Sequence, residues 1–523
     1  MSAIAETQPS RRGPGAAADA SGRTGALAPA GLRLSPDPAT RLVARGAVLV
    51  GGSPVRVLRL TPAGARQVAG WLDGAPVPRS DAARALAGRL LDAGIAHPDL
   101  SADHPGAPSA ADVTVIIPVR DRHAELARCL AGLPDLPNVI VVDDASGDPA
   151  AIKAIAARHG ANAIRRPVNG GPGAARNTGL RAAKTEFVAF LDSDCVPQPG
   201  WLDRLLPHFA DPAVGAVAPR IVPSGDGTGW LARYEGASSS LDMGARPSPV
   251  RPGARVSYVP GAALVVRKAA AGDGFTDGMY VGEDVDFVWR LSAAGWRVRY
   301  EPAAVMGHDH RVTFRAWFTR RADYGTSAAA LEQLHPGAVR PLYASWWTAG
   351  AWAAALAGRP VTAAALTGAA TALLARRLSR VTDERWPLPA RPAADHAPDN
   401  SNTGVEGARA RQGAAWRLAL RLAGGGTLAA GRPIGSALTR TWWPAAIPAA
   451  LAVRKLRLPV AALILAPPLL DWADRKPPLD PVRYVAARLL DDAAYSLGVW
   501  QGCLARRTLR PLLPVVGGRR QPG

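Results

Sequence analysis

Apolar runs closed by polar residues recur along the middle of the chain. VTVIIP (113–118), VIVVDDAS (139–146) and FVAFL (187–191) have the length and β-branched or aromatic content of buried strands. Helix-like stretches lie between them. Residues 121–132 place Leu126 and Leu130 four apart, and residues 149–158 and 174–184 read the same way. Residues 161–166 make a further short strand. Strands alternating with such helices predict a parallel sheet with right-handed crossovers, the nucleotide-binding half of a doubly wound α/β domain. Further on, GEDVDFVWRLSAAGW (282–296) predicts an amphipathic helix with Val285, Val288, Trp289 and Leu291 inward, followed by the strand-like RVRYEP (297–302).

The flanking patterns differ. Residues 1–31 are Ala, Gly, Pro, Ser and Arg without a continuous apolar stretch, which predicts a disordered tail rather than a secretory signal. Residues 32–100 alternate short strands with helices and predict a small winged-helix-like module, and 101–110 is a linker by composition. Residues 111–337 hold the α/β domain. Residues 338–523 contain apolar runs at 342–358, 361–375, 441–453 and 458–470, with a Pro- and Asn-containing break at 386–412.

Chemistry gathers at the strand ends. Asp143-Asp144 close one strand, and Asp192-Ser193-Asp194 close the next apolar one. Ligands bind at the carboxyl ends of such strands. Two carboxylates one residue apart suit a divalent cation that itself holds phosphate oxygens. Acids at adjacent strand ends repel, so a cation or a sugar-nucleotide hydroxyl is expected between them. The turn NGGPGAARN (169–177) has Gly170, Gly171 and Gly173 for positive φ or close backbone approach. Its helix is expected to aim an amino terminus at a phosphate. Glu283 and Asp284 sit in the first turn of their helix, where its dipole favours anions. GHDHR (307–311) adds His308, a ligand compatible with Mn²⁺.

VTVIIPVRDR, IVVDDAS, GPGAARNTGL, FVAFLDSDCVP, YVPGAALVVRK and GEDVDFVWRL, in that order, resemble the family 2 glycosyltransferases with the GT-A fold over roughly residues 112–335. The resemblance implies inverting, metal-dependent transfer of a sugar from a nucleoside diphosphate, with Mn²⁺ or Mg²⁺. It implies that Pro118, Val119, Arg120 and Asp144 contact the uridine, with Asp143, Gly171 and Arg176 also on the donor side. Asp192 would reach the ribose. Asp194 would bind the metal, with His308 as a further ligand. Asp284 would be the general base, supported by Glu283. The Q-x-x-R-W signature of processive members is missing. FRAWFTRRADYG (314–325) stands in its place, and its Arg320 and Arg321 could meet the diphosphate.

A narrower resemblance covers nearly the whole chain. LVGGSPVRVLRLTP, GIAHP, APRIV, RYEGASSSLDMG and HDHR are similar to the glycosyltransferases of the mycofactocin system. That implies a UDP-glucose donor and a peptide-derived redox cofactor, or its growing glucan, as acceptor. The module at 32–100 resembles the peptide-recognising domains of ribosomal-peptide maturation systems. Two other functions stay open: a glycosyltransferase acting on lipid or cell-wall acceptors, and an inactive sugar-nucleotide-binding carrier.

The formal charge of +20 invites a nucleic-acid partner, but its distribution argues against one. Residues 340–523 carry 25 Lys/Arg and 10 Asp/Glu, so +15 of the +20 lies there. These charges interleave with the apolar runs, each shorter than the ~20 residues that span a bilayer. Trp346, Trp347, Trp442 and Trp443 suit an interfacial belt. The expectation is attachment to an anionic membrane surface at the cytoplasmic face, peripheral or shallowly inserted. A chain ending near Gly337 is then expected to stay soluble. The three cysteines, Cys129, Cys195 and Cys503, fit a reducing compartment.

Overall fold

A computed structural model describes residues 25–43, 48–100, 106–133, 136–225, 227–309, 313–383, 412–413 and 415–517. The expected tail up to residue 24, the start of the linker, His310 and Arg311 of GHDHR, and nearly all of the 386–412 break lie outside these residues.

A nine-stranded sheet carries the centre of the molecule. Its order along one path is Cys195–Pro197, Arg297–His308, Val214–Pro223, Ala263–Arg267, Phe187–Leu191, Val113–Val119, Val139–Asp144, Asn162–Arg166. Ser248–Pro249 pairs alongside Arg297–His308. The apolar runs are continuous because both faces are covered. Val115, Ile117, Val141 and Leu191 pack on one face with Leu126 and Ile152 of the helices His123–Ala131 and Pro149–Arg158. Ile116, Val142 and Phe190 pack on the other with Leu180, Phe287 and Leu291 of the helices Gly171–Ala182 and Glu283–Ala293. This is the period-two alternation of a strand buried on both sides. Each such side chain contributes about 1.5–3 kcal/mol by leaving water.

The four strands 113–119, 139–144, 162–166 and 187–191 are mutually parallel. The second half of the sheet is mixed. Ala263–Arg267 runs antiparallel to both Phe187–Leu191 and Val214–Pro223, and Cys195–Pro197 runs antiparallel to Arg297–His308. The last long strand also continues past the expected 302, to His308, through a register shift opposite Pro219 and Arg220. His308 is therefore a strand residue, directly opposite Cys195.

Ahead of this domain, a three-stranded antiparallel meander and the helices Pro62–Leu72 and Asp81–Ala93 enclose their own core, including Leu49, Val68, Trp71 and Leu90. The module is keyed to the sheet by Arg297. Its guanidinium donates to Asp92 at 2.6 Å, to Asp211 at 2.8 Å and to the Ala26 carbonyl at 2.6 Å.

The carboxyl-terminal residues depart from a separable region. The helix Pro481–Ala505 lies against Phe314–Leu334 with backbones in contact. A Cβ placed on Gly325 would stand 2.1 Å from the Tyr495 carbonyl oxygen, and one on Gly498 would stand 1.8 Å from that of Ala322. Tyr234 and Trp317 share a buried cluster with Tyr484 and Ala487. Arg321 is buried between Glu235, at 2.5 Å, and Asp491, at 2.9 Å. Deleting everything after residue 337 would bare these groups and take Asp491 away from Arg321 and from the Tyr234 hydroxyl, which is costly. Such a truncation is expected in the insoluble fraction, against the expectation above. A soluble monomer that binds UDP would overturn this.

The apolar runs of this region are helical apart from the short strand Tyr343–Ala344 that opens the first, and its surface is strongly apolar. Val361, Leu428, Leu458, Val482 and Leu504 are each at least 70% exposed. The run 458–470 lies inside a longer helix. Residues Arg454–Arg475, 22 in all and with an 18-residue stretch of mean hydropathy 1.4, are long and apolar enough to cross a membrane by length and composition. Trp346 and Trp347 are exposed, whereas Trp442 turns its indole N–H inward to the Leu512 carbonyl at 2.7 Å.

Candidate active site

The carboxyl ends of the parallel strands open onto a cavity of about 1110 Å³. Every residue to which the resemblance gives a donor, metal or catalytic role lines it, except Asp143. Asp143 is buried to one side. It accepts from Arg165 at 2.6 Å and from the Ser146 N–H at 2.8 Å.

Each strand-end carboxylate has its own arginine. The acids are therefore compensated in part within the chain itself. In the parallel register Asp143 faces Arg165 and Asp144 faces Arg166. Asp144 is 2.5 Å from the Arg166 guanidinium and also accepts the Gly171 N–H at 2.8 Å. The helix that begins at Gly171 is thus capped by Asp144 rather than left open for a phosphate. Gly171 itself has φ +82°, and a Cβ there would stand 2.7 Å from the Tyr280 ring. Two loops beside Arg120 are tied together. Ser146 accepts the Asp121 N–H at 3.0 Å, and Asp121 accepts the Gly147 N–H at 2.6 Å.

Arg176 is the centre of the site. Its side chain is 3% exposed, and it donates to Asp192 at 2.6 Å and to Glu283 at 3.0 Å. Burial opposes its charge, but Asp192 and Glu283 outweigh burial and hold its pKa above the usual range. Glu283 shows the opposite balance. Burial, then the charge of Asp284, push its carboxyl up to about 7 against the pull of Arg176. Asp284 accepts the Gly261 N–H at 2.8 Å, which aims it across the cavity floor.

A raised carboxyl pKa has a defined sign. Between the ordinary carboxylate range and about 7, folded Glu283 keeps a proton that the unfolded chain has released. The stabilisation is complete below that range and is lost as pH rises toward 7. Glu283→Gln is expected to flatten this part of the profile of melting temperature against pH. Superimposable profiles for the two proteins would overturn the assignment.

Asp194 and His308 meet because Cys195 and His308 are opposed in register. Asp194 Oδ1 lies 3.5 Å from His308 Nε2. Together with Cys195 Sγ these atoms lie within 4.8 Å of one another, the grouping among the described residues able to hold a metal ion. Burial raises the Cys195 thiol far above its ordinary pKa, and it donates to the Ala262 carbonyl at 3.4 Å. The carboxylate and imidazole are therefore the fitting donors for a hard cation. Arg122, which the motif reading passed over, pairs with Asp194. Burial opposes the Asp194 charge, but His308 and Arg122 prevail and hold its pKa below the ordinary value.

The two arginines of 314–325 diverge. Arg321 is consumed by Glu235 and Asp491 and is a strut, which corrects its expected role toward a diphosphate. Arg320 lies 4.8 Å over the Tyr324 ring; burial opposes its charge, but Tyr324 and then Asp192 hold its pKa above the usual value. In the helix Glu283–Ala293, Phe287 and Asp286 are buried and Val285 only partly so. Asp286 takes hydrogen bonds from Thr276 at 2.6 Å and Arg290 at 2.9 Å. Its carboxylate also lies 2.9 Å from His335.

The profile of Glycosyl transferase family 2 matches residues 114–271. Fold and cavity together define a family 2 glycosyltransferase of the GT-A type. The likeness to one relative runs further. The pre-mycofactocin glycosyltransferase of Mycobacterium tuberculosis is 40% identical over 498 residues, spanning 93% of this chain and 98% of that protein. The chain belongs to that family. A more distant relative, the poly-beta-1,6-N-acetyl-D-glucosamine synthase of Staphylococcus aureus, is 29% identical over 34% of this chain and 44% of its own length. Among solved structures, the mannosyltransferase of Pyrobaculum calidifontis in complex with GDP-Man and Mn²⁺ aligns at TM-score 0.34 and 22% identity, over 61% of this chain and 91% of that one. A likeness of that size carries no argument about function.

Proposed function

We propose that the chain moves glucose from UDP-glucose, with inversion, to a hydroxyl of a peptide-derived redox cofactor (the mycofactocin precursor) or to its growing glucan. The observation that carries this is the convergence of Asp192, Asp194, His308, Glu283 and Asp284 on one cavity, in a chain related over 93% of its length to a pre-mycofactocin glycosyltransferase. A sugar hydroxyl is a poor nucleophile. Asp284 takes its proton as it attacks the anomeric carbon. One base suffices for a single displacement, and no nucleophilic carboxylate is required. Asp192 and Asp144 hold the nucleoside, and Pro118 to Arg120 line its base. Arg320 faces the diphosphate.

Asp194 and His308 would hold Mn²⁺ or Mg²⁺. The ion, when bound, would neutralise charge on the leaving diphosphate. Mass spectrometry of the precursor incubated with UDP-glucose should show successive hexose additions. Transfer from another nucleotide sugar but not from UDP-glucose would overturn the donor assignment. A lipid or cell-wall acceptor is the second reading, favoured by the exposed apolar helices after residue 340.

The same helices support attachment at the cytoplasmic face of a membrane, with the amino-terminal winged-helix-like module free to recognise a peptide. Such attachment is partly electrostatic. The Debye length falls from about 10 Å at 0.1 M salt to about 3 Å at 1 M. Binding to vesicles is expected to need anionic lipid and to fall steeply with salt. Release only by detergent, after salt and carbonate washes, would instead place Arg454–Arg475 across the bilayer.

A further inference from the structure

The cavity has further lining beyond the strand-end carboxylates. Tyr258, Tyr324, Arg440 and Tyr495 also line it. Three of these four lie outside residues 114–271, and two belong to the carboxyl-terminal helices. Tyr258 stands three residues before Gly261, whose N–H positions Asp284. Tyr258 is within electrostatic reach of Tyr495, Arg440, Asp284 and Tyr324. Burial, and then Tyr495, push its phenol up to about 12, so it is a neutral hydrogen-bond donor at any working pH. Arg440 lies 4.2 Å over the Tyr495 ring. Its other side meets Asp492 at 3.4 Å, and Thr439 donates to that carboxylate at 2.6 Å. The guanidinium is thus held in place before any ligand arrives.

Phenol rings and a fixed guanidinium beside a base make a defined chemical surface. Tyrosine offers an apolar face with a polar tip. A guanidinium plane stacks and donates along its edge. Donor-side carboxylates and these four residues line the same space, and Tyr258 is within electrostatic reach of Asp284. We propose that Tyr258, Tyr324, Arg440 and Tyr495 form the acceptor subsite, which takes a six-membered ring bearing the reacting hydroxyl. The inference rests on the glycosyltransferase reading of the same cavity. Two sources carry such a ring: the sugar at the end of a glucan, and the aromatic group of a peptide-derived acceptor. The carboxyl-terminal helices then select the acceptor as well as meeting a membrane.

Saturation-transfer NMR on the full chain tests this with three probes, in the presence of UDP. These are methyl β-glucoside, p-cresol, and p-nitrophenyl β-glucoside, which carries both rings. The wild type is expected to transfer saturation to the aryl glucoside. Signal from methyl glucoside alone assigns the subsite to the glucan, and signal from cresol alone assigns it to the aromatic group. Tyr495→Leu keeps apolar bulk on a helix that packs the core, and Arg440→Gln leaves Asp492 with Thr439 and Arg488. Each variant is expected to lower the aryl glucoside signal at least fivefold and leave the UDP signal unchanged. Absence of probe signal in the wild type, or probe signals untouched by both variants, would overturn the proposal. Parallel loss of UDP and probe signals would assign these residues to the donor side instead. Failure of UDP to bind the wild type would sink the donor reading and leave the probe signals to judge the subsite by themselves.

Discussion

Asp194→Ala is expected to abolish transfer. The carboxylate lies at the end of the strand Phe187–Leu191, is 15% exposed, and faces His308 at 3.5 Å. If the two hold the cation beside the diphosphate, alanine removes its only carboxylate donor in that grouping. Loss of one group that stabilises developing charge costs on the order of 10²–10³ in turnover. Loss of a metal ligand should reach at least that. Excess chelator should do the same to the wild type, and Mn²⁺ or Mg²⁺ should restore it. Neither ion should rescue the variant. Arg122 offers a control in the other direction, because it pairs with Asp194 where a cation would compete. Arg122→Ala should lower the metal concentration needed for half-maximal activity. Full activity of the wild type in excess chelator would refute the metal site.

Asp284→Asn separates the base from the donor site. The substitution keeps the shape, and its carbonyl oxygen can still accept the Gly261 N–H that Asp284 accepts at 2.8 Å. What it loses is the proton acceptor. Turnover should fall by roughly 10² or more, the usual order for a lost general base. Affinity for UDP-glucose, measured by calorimetry, should change less than twofold. Donor affinity lost together with turnover would move Asp284 to the donor site.

Three of the four parallel strands, 113–119, 139–144 and 187–191, were legible because burial on both faces keeps them almost wholly apolar up to their ends. The strand ends were legible for the same reason: Asp143-Asp144 and Asp192-Ser193-Asp194 interrupt an otherwise apolar pattern. Their partners were not. Arg165 and Arg166 look like ordinary surface charge until the strand register sets each opposite its aspartate. That signal could have been found, since paired acids at one strand end and paired bases at the next are complementary in parallel register. Arg176 was legible as a donor-side residue, but its bridging of Asp192 and Glu283 depends on a contact across 107 residues. His308 was placed beyond a strand because GHDHR is polar, yet pairing with Cys195–Pro197 carries the strand through it. The closest failure concerned Gly325 and Gly498. Single glycines in helical stretches gave no hint that two helices far apart in sequence touch through their backbones.

That helix contact also has a consequence during synthesis. Phe314–Leu334 leaves the ribosome well before Pro481–Ala505, with 146 residues between them. At about 5–20 residues per second the first helix waits roughly 7–30 seconds for its partner. Through that interval Trp317 and the glycine-lined face lie bare, and the lining of the cavity is incomplete. The nascent enzyme can build its nucleotide-binding sheet but not its finished cavity. A bound chaperone would shorten the exposure, and a stalled chain would be an aggregation hazard rather than a half-active enzyme.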